Sequence, residues 1–165
     1  MTTGTDGGGS LSTAQALVSL LKWGSRNLVH NLEFIPDDRL TWKPAPDAKS
    51  ALEIVLHTAE SLRAMEPVLS GGDWTPSPQI ADNRDDAGRL LLAAAESFAA
   101  ALLRMPADGQ DRAVVVGRRQ VRVRLSRAAE MPVADVVHHH GQIVYIQTLL
   151  GDGAYHFIPE LNPPD

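Results

Sequence analysis

Hydrophobic positions recur along most of this chain with the period of an α-helix. From about residue 12 to 34, Leu17, Leu20, Leu21, Leu28 and Leu32 recur on one side of a helical projection. Ser12 followed by Gln15 has capping-box spacing, in which each side chain accepts from the other residue's backbone N–H. Pro36 ends that segment. A second helix opens on Ser50 and Glu53, again a capping box. Its apolar stripe is Leu52, Val55, Leu56, Ala59, Leu62 and Leu69, and Gly71-Gly72 stops it. A third, rich in Ala and Leu, is expected from about Asp85 to Met105, with Pro106 behind it. A fourth is expected to begin near Met131-Pro132 and run to Leu150, with Gly151 placed to close it.

Two connections depart from this period. Residues 37–47 hold Trp42, Pro44 and Pro46 and read as an extended crossing segment. Further on, Val114, Val115 and Val116 precede Gly117-Arg118, after which Val121, Val123 and Leu125 alternate with Arg122 and Arg124. Period two around a glycine turn predicts a short, exposed β-hairpin or extended loop between helices three and four. Helices of roughly 20 residues, about 30 Å long, suit a four-helix bundle. The expected fold is therefore all-α, a single four-helix-bundle domain over residues 12–165. A Gly/Thr-rich tail, residues 1–11, is expected to be flexible.

Composition narrows the chemistry. The 165 residues are 44 % hydrophobic and 21 % charged, ordinary for a soluble globular domain that needs no covalent staple. Cysteine is absent, which removes disulfides, thiolate catalysis, iron–sulfur clusters and every Cys-containing zinc motif. A net charge of −5 argues against a general nucleic-acid binder. No apolar run approaches the roughly 18 residues of a membrane span, and the N-terminus lacks the regions of a signal peptide. The expected location is cytoplasmic.

Any transition-metal site must then draw on carboxylates and on His30, His57, His138, His139, His140 and His156. Successive helical residues turn by about 100°, so the run His138-His139-His140 cannot face one way. Val136, Ile143, Ile146 and Leu150 form an apolar seam of the fourth helix, with His139 in its gap. His138 shares a polar side with Asp135, Gln142 and Tyr145, and His140 lies on a flank with Val133, Val137 and Val144. Asp135 stands four residues before His139, so the pair can chelate a divalent ion, although a hydrogen-bonded histidine cluster gives the same pattern. His57 lies in the row Ile54, His57, Ser61, Val68 at the margin of the second helix's stripe. Facing side chains of a bundle build metal sites, and three ligands leave positions open for water or substrate.

These residues carry a resemblance. The run Trp42-Lys43-Pro44-Ala45-Pro46 leads into Glu53-Ile54-Val55-Leu56-His57, and His139-His140-Gly141-Gln142 is followed by Tyr145-Ile146-Gln147-Thr148-Leu149-Leu150-Gly151-Asp152. In this pattern the chain resembles the DinB/YfiT-like metalloprotein superfamily over about residues 12–157. The resemblance implies a four-helix bundle, a three-histidine divalent metal site holding nickel or zinc, and frequent dimers. Thiol-dependent transferases and a mycothiol-dependent isomerase occur among such relatives. Carried over, the metal ligands fall on His57, Asp135 and His139, with Asp135 where the family usually has histidine. His140 stands where Arg or Asp is common.

The leading expectation is a divalent-metal enzyme of hydrolase or thiol-transferase type, a homodimer acting on a small molecule such as a low-molecular-weight thiol. Gln142 and Glu60 are candidate outer partners of the ligands, and Asn27 and His30 candidates to reach the site from helix one. The alternative is a non-catalytic bundle that binds a ligand or partner. The arginines from Arg112 to Arg127 are read first as a solvated strand face, and Trp23, Trp42 and Trp74 as packing residues.

Overall fold

Reciprocal caps start the first two helices. In the computed structural model, which describes residues 12–106 and 108–159, α1 is Thr13–Leu32 and α2 is Ala51–Leu69. The expected flexible tail lies outside the described residues, as do residues 160–165. Ser12 Oγ accepts from Gln15 N–H at 3.2 Å while Gln15 Oε1 accepts from Ser12 N–H at 2.8 Å. Ser50 and Glu53 repeat the exchange at 3.2 and 2.8 Å. Helix α3, Arg84–Arg104, is capped by Asn83, with Asp85 and Asp86 favourably placed on its positive first turn. Arg84 also reaches past the end of α1, donating to the Glu33 and Ile35 carbonyls at 2.6 Å and pairing with Asp37 at 2.7 Å. Those carbonyls have no partner within α1, so the guanidinium joins two helix ends in one contact.

Helices α1 and α2 each pack on both α3 and α4, Leu125–Leu149, and barely touch each other. They therefore stand diagonally, and the connection between them must cross the bundle. The crossing link takes one 3-10 turn at Asp37–Arg39, and the Leu40 carbonyl then accepts from Leu52 N–H at 3.0 Å. Trp42 and Trp74 pack against the core, which is filled by Leu21, Leu28, Leu62, Leu91, Phe98 and Ile143. Leu20, one 100° step from Leu21, turns outward and is 43 % exposed, so the α1 stripe is narrower than its leucines suggest. No helix among the described residues is long and apolar enough to cross a membrane.

The period-two stretch is a hairpin. Strand β1, Ala113–Val116, pairs antiparallel with β2, Val121–Arg124, in the register Ala113↔Arg124 to Val116↔Val121. Gly117 (φ +76°) and Gln120 (φ +53°) take the left-handed conformation of the turn, where glycine is favoured. Three of the six arginines from Arg112 to Arg127 are answered by carboxylates: Arg118 by Glu60, Arg124 by Asp111 and Arg127 by Glu130.

Helix α4 starts at Leu125, earlier than the proline predicts, and Pro132 sits inside it. Tertiary contacts outweigh the local signal here. The hairpin base supplies acceptors for the first free N–H groups, Leu125 to the Arg112 carbonyl at 2.8 Å and Ser126 to the Gln110 carbonyl at 3.0 Å. Leu125, Ala128 and Ala129 are buried, so the turn before Pro132 gains core contacts that offset its missing hydrogen bond.

Close approach of α1 to α4 occurs at Gly24. A Cβ there would stand 2.9 Å from Val136 Cγ1, on a buried β-branched side chain with little rotamer freedom. Gly24→Ala is therefore expected to lower stability by about 1–2 kcal/mol. Gly141→Ala, whose Cβ would meet nothing within 4 Å, is expected to raise it by up to about 1 kcal/mol. Denaturant midpoints of the two variants should move in opposite directions.

Candidate metal centre

Helices α2 and α4 bring the expected ligands together. One ligand atom from each of His57, Asp135 and His139 lies within 4.8 Å of the others. The two imidazoles meet edge to face, with centroids 5.2 Å apart and planes at 80°. His139 is the most enclosed at 6 % exposed, while His57 and Asp135 are half-buried. Asp135 Oδ1 lies 3.3 Å from His139 Nε2, close enough for charge attraction. The alignment gives no directed hydrogen bond, and Nε2 remains buried without a partner. A buried polar atom left in this way is costly. Beside it stand a carboxylate and a second imidazole, donors that suit a divalent transition metal, so the residues present fit such an ion.

The other nitrogen of His139 is held. Nδ1 lies 2.7 Å from Gln142 Oε1, an oxygen that can only accept, so Nδ1 carries the proton and the neutral ring keeps its lone pair on Nε2. The Gln142 amide is oriented in turn by His138, whose Nε2 lies 3.1 Å from Gln142 Nε2. Exposed His138 thus stands behind the cluster. His140 faces α1, where burial holds its pKa below 6.5.

Charge divides the three groups. Burial, followed by the charges of His139 and Lys49, holds His57 below its ordinary 6.5. No hydrogen bond engages His57 among the described residues. Burial acts to raise Asp135, but the adjacent His139, the charge of His57 and the Ser61 hydroxyl hold it below 3.8. Burial acts to lower His139, and contact with Asp135 and Gln142 raises it above 6.5. Without metal, these directions favour a charged Asp135–His139 pair beside a neutral His57, and the lone pair of His139 Nε2 is free only once that ring has given up its second proton.

Glu60 accepts from Arg118 at 3.1 Å, tying α2 to the hairpin turn, and acts on His57 only through charge. Asn27 and His30 are engaged elsewhere. Asn27 bonds Trp23 and Ile158, and His30 contacts Glu33 and Phe34. A cavity of about 330 Å³ opens beside the cluster, with Lys49, His139, Gln142 and Tyr145 on its walls and Pro44 and Asp47 of the crossing link above them. Lys49 escapes sequence reading because a lysine before a cap looks like any surface cation. Ser61 is visible only as a member of His57's row.

This layout is that of helical-bundle proteins whose metal sites arise from inward side chains of facing helices. The chain belongs to the DinB superfamily, whose sequence profile matches residues 20–143. Among solved structures it is similar to a DinB-like protein from Bacillus subtilis, with a TM-score of 0.68 and 21 % identity over 86 % of this chain and 96 % of that one. It is similar as well to a conserved protein from Enterococcus faecalis, with a TM-score of 0.70 and 16 % identity over 87 % and 100 % of the two chains. A third likeness is to the mycothiol-dependent maleylpyruvate isomerase, with a TM-score of 0.62 and 15 % identity over 80 % and 61 %. At these identities the likenesses show the fold. No curated protein matches the chain.

The pKa directions give a pH dependence. The proton on His139 stabilises the metal-free fold fully below about 6.5, and that contribution is lost as pH rises through the higher folded value. The Asp135 carboxylate contributes above about 3.8 and is lost as pH falls through its lower folded value. The pair is thus intact between these limits. In metal-free protein followed by NMR, His139 should titrate above 6.5 and His57 below it. Asp135→Asn should bring His139 below 6.5, because burial and Lys49 then act unopposed by the carboxylate. An unchanged His139 titration would refute the pairing.

Proposed function

We propose that this chain is a divalent-metal-dependent enzyme of hydrolase or thiol-transferase type, with His57, Asp135 and His139 as ligands. The observation that carries the reading is His139 Nε2, buried without a hydrogen-bond partner beside the other two ligand groups. Zinc or nickel suits two imidazoles and one carboxylate. Such an ion supplies Lewis acidity, lowering the pKa of a water or thiol and polarising an electrophile. Gln142 keeps the His139 proton on Nδ1 and so fixes which nitrogen faces the site. Lys49 sets a positive charge at the cavity wall, suited to an anionic group on the substrate. The fold's likeness to the mycothiol-dependent isomerase supports a small thiol as co-substrate.

A second reading, a bundle that binds a ligand without metal chemistry, draws on the 3.3 Å Asp135–His139 contact, since each group partly satisfies the other. We also propose a homodimer through outward apolar residues of α1 and α4, among them Leu20 and Leu149. Light scattering at micromolar concentration should give twice the 17.8 kDa chain mass, and a monomer mass would count against it.

Metal analysis of tag-free protein separates the two functional readings. Stoichiometric metal is expected in the unaltered chain. It should fall at least tenfold in His57→Ala, Asp135→Ala and His139→Ala, on the order of ligand and outer-partner losses in known sites. Asp135→His should retain metal, Gln142→Ala should bind about tenfold more weakly, and His138→Ala should keep its ion. Metal-free protein under several metal supplies would favour the ligand-binding bundle. Release by His138→Ala but not by Asp135→Ala would reassign the ligands.

A further inference from the structure

A second enclosed polar group lies on the opposite side of α4. His140, 7 % exposed, turns toward α1, and its Nε2 lies 3.3 Å from Asn31 Nδ2. That amide nitrogen also donates at 2.9 Å to the carbonyls of Asn27 and His156. Those two carbonyls take both amide hydrogens, so His140 Nε2 shares one of them at most, and because a proton on Nε2 would face the same hydrogens, the ring proton resides on Nδ1. Among the described residues nothing accepts from Nδ1, and that atom is not sealed from the exterior. His156, the other histidine nearby, is committed. Its Nε2 lies 2.8 Å from Asp152 Oδ2, and its ring stacks on Phe34 at 3.6 Å.

His140 lines a cavity of about 240 Å³ between α1, α4 and residues 155–157, walled by Trp23, Val144, Tyr155 and Phe157. Trp23 meets the His140 ring edge-on at 5.4 Å, and Tyr155 and Phe157 lie 4.5 Å apart. A cavity of about 150 Å³ admits benzene, so this one has room for a ring and a short substituent. No Lys or Arg lines it. Asn31 and His156 also line it but are engaged, so an anion would give up its hydration for the His140 donor alone, which is unfavourable. We propose that this cavity binds a small neutral aromatic molecule bearing one hydrogen-bond-accepting oxygen, which takes the Nδ1–H of His140 while its ring lies among Trp23, Tyr155 and Phe157. The site is separate from the His57–Asp135–His139 cluster, which faces α2, and holds whether or not metal binds there.

The test uses the full chain with acetophenone as probe and toluene as the matched ring without the acceptor. Saturation-transfer NMR should connect acetophenone to Tyr155, Phe157 and Val144. Acetophenone should bind about tenfold more tightly than toluene, the factor that about 1.4 kcal/mol provides. His140→Phe should remove that preference and leave toluene within about twofold, as loss of a single hydrogen bond requires. Gly141→Leu, which grows into open space on the cavity wall, should weaken both probes while metal content stays unchanged. Equal affinity of the unaltered chain for the two probes would overturn the proposal even if His140→Phe failed to fold. So would probe contacts at Tyr145 and His57 in place of Phe157, or an acetophenone affinity that both substitutions leave intact.

Discussion

Helix α4 is wedged between α1 and α2, which stand diagonally and barely touch, so its rotation about its own axis decides what both sides of the bundle can do. Neighbouring helical residues differ by about 100°. With Val136, Ile143 and Ile146 committed to the core, His139 is delivered to α2, His140 to α1 and His138 to solvent. The approach at Gly24 sets the α1 side of that wedge, because a larger residue there would push against Val136. One helix thus carries a metal-type cluster and an aromatic cavity on different faces, and a small change in its rotation would disturb both.

Buried amides hold the α1 side. Gln147 donates to the Asn31 carbonyl at 2.9 Å, Asn31 donates to the His156 carbonyl, and Asn27 Oδ1 accepts from Ile158 N–H at 3.3 Å. Polar groups in such a setting are costly unless paired, so these bonds tie the chain after α4 back onto α1 in one arrangement. On the α2 side the equivalent tie is weaker. The Asp135–His139 contact lacks directed geometry, and His57 is without a hydrogen bond among the described residues. Hydrogen bonds across helices are therefore concentrated on the α1 side, although Gln147 Oε1 stays buried there without a partner, and donor atoms at the candidate metal centre are left for a ligand.

The helices and the grouping of His57, Asp135 and His139 were legible because they rest on local rules. Ser12 and Gln15, Ser50 and Glu53, and the alternation around Gly117 fix their elements through contacts a few residues apart. His57, Asp135 and His139 were readable from helical spacing together with the family pattern. The start of α4 was not. Pro132 is a strong local signal, but acceptors at Gln110 and Arg112 and burial of Leu125, Ala128 and Ala129 come from elsewhere in the fold. Leu20 misled for a related reason, since a leucine belongs to a core only if a partner helix lies against it.

By itself, then, the sequence determined four helices, the exposed hairpin and the set of side chains able to hold a divalent ion, because periodicity, capping and residue chemistry act over one or two turns. Only the tertiary structure decided that α1 and α2 stand diagonally and that Lys49 lines the cavity beside His139. It also decided that Glu60 is taken up by Arg118, and that His138 orients Gln142. Each of these depends on groups distant in the chain, or on side-chain orientation within a packed helix, and no local pattern carries that information.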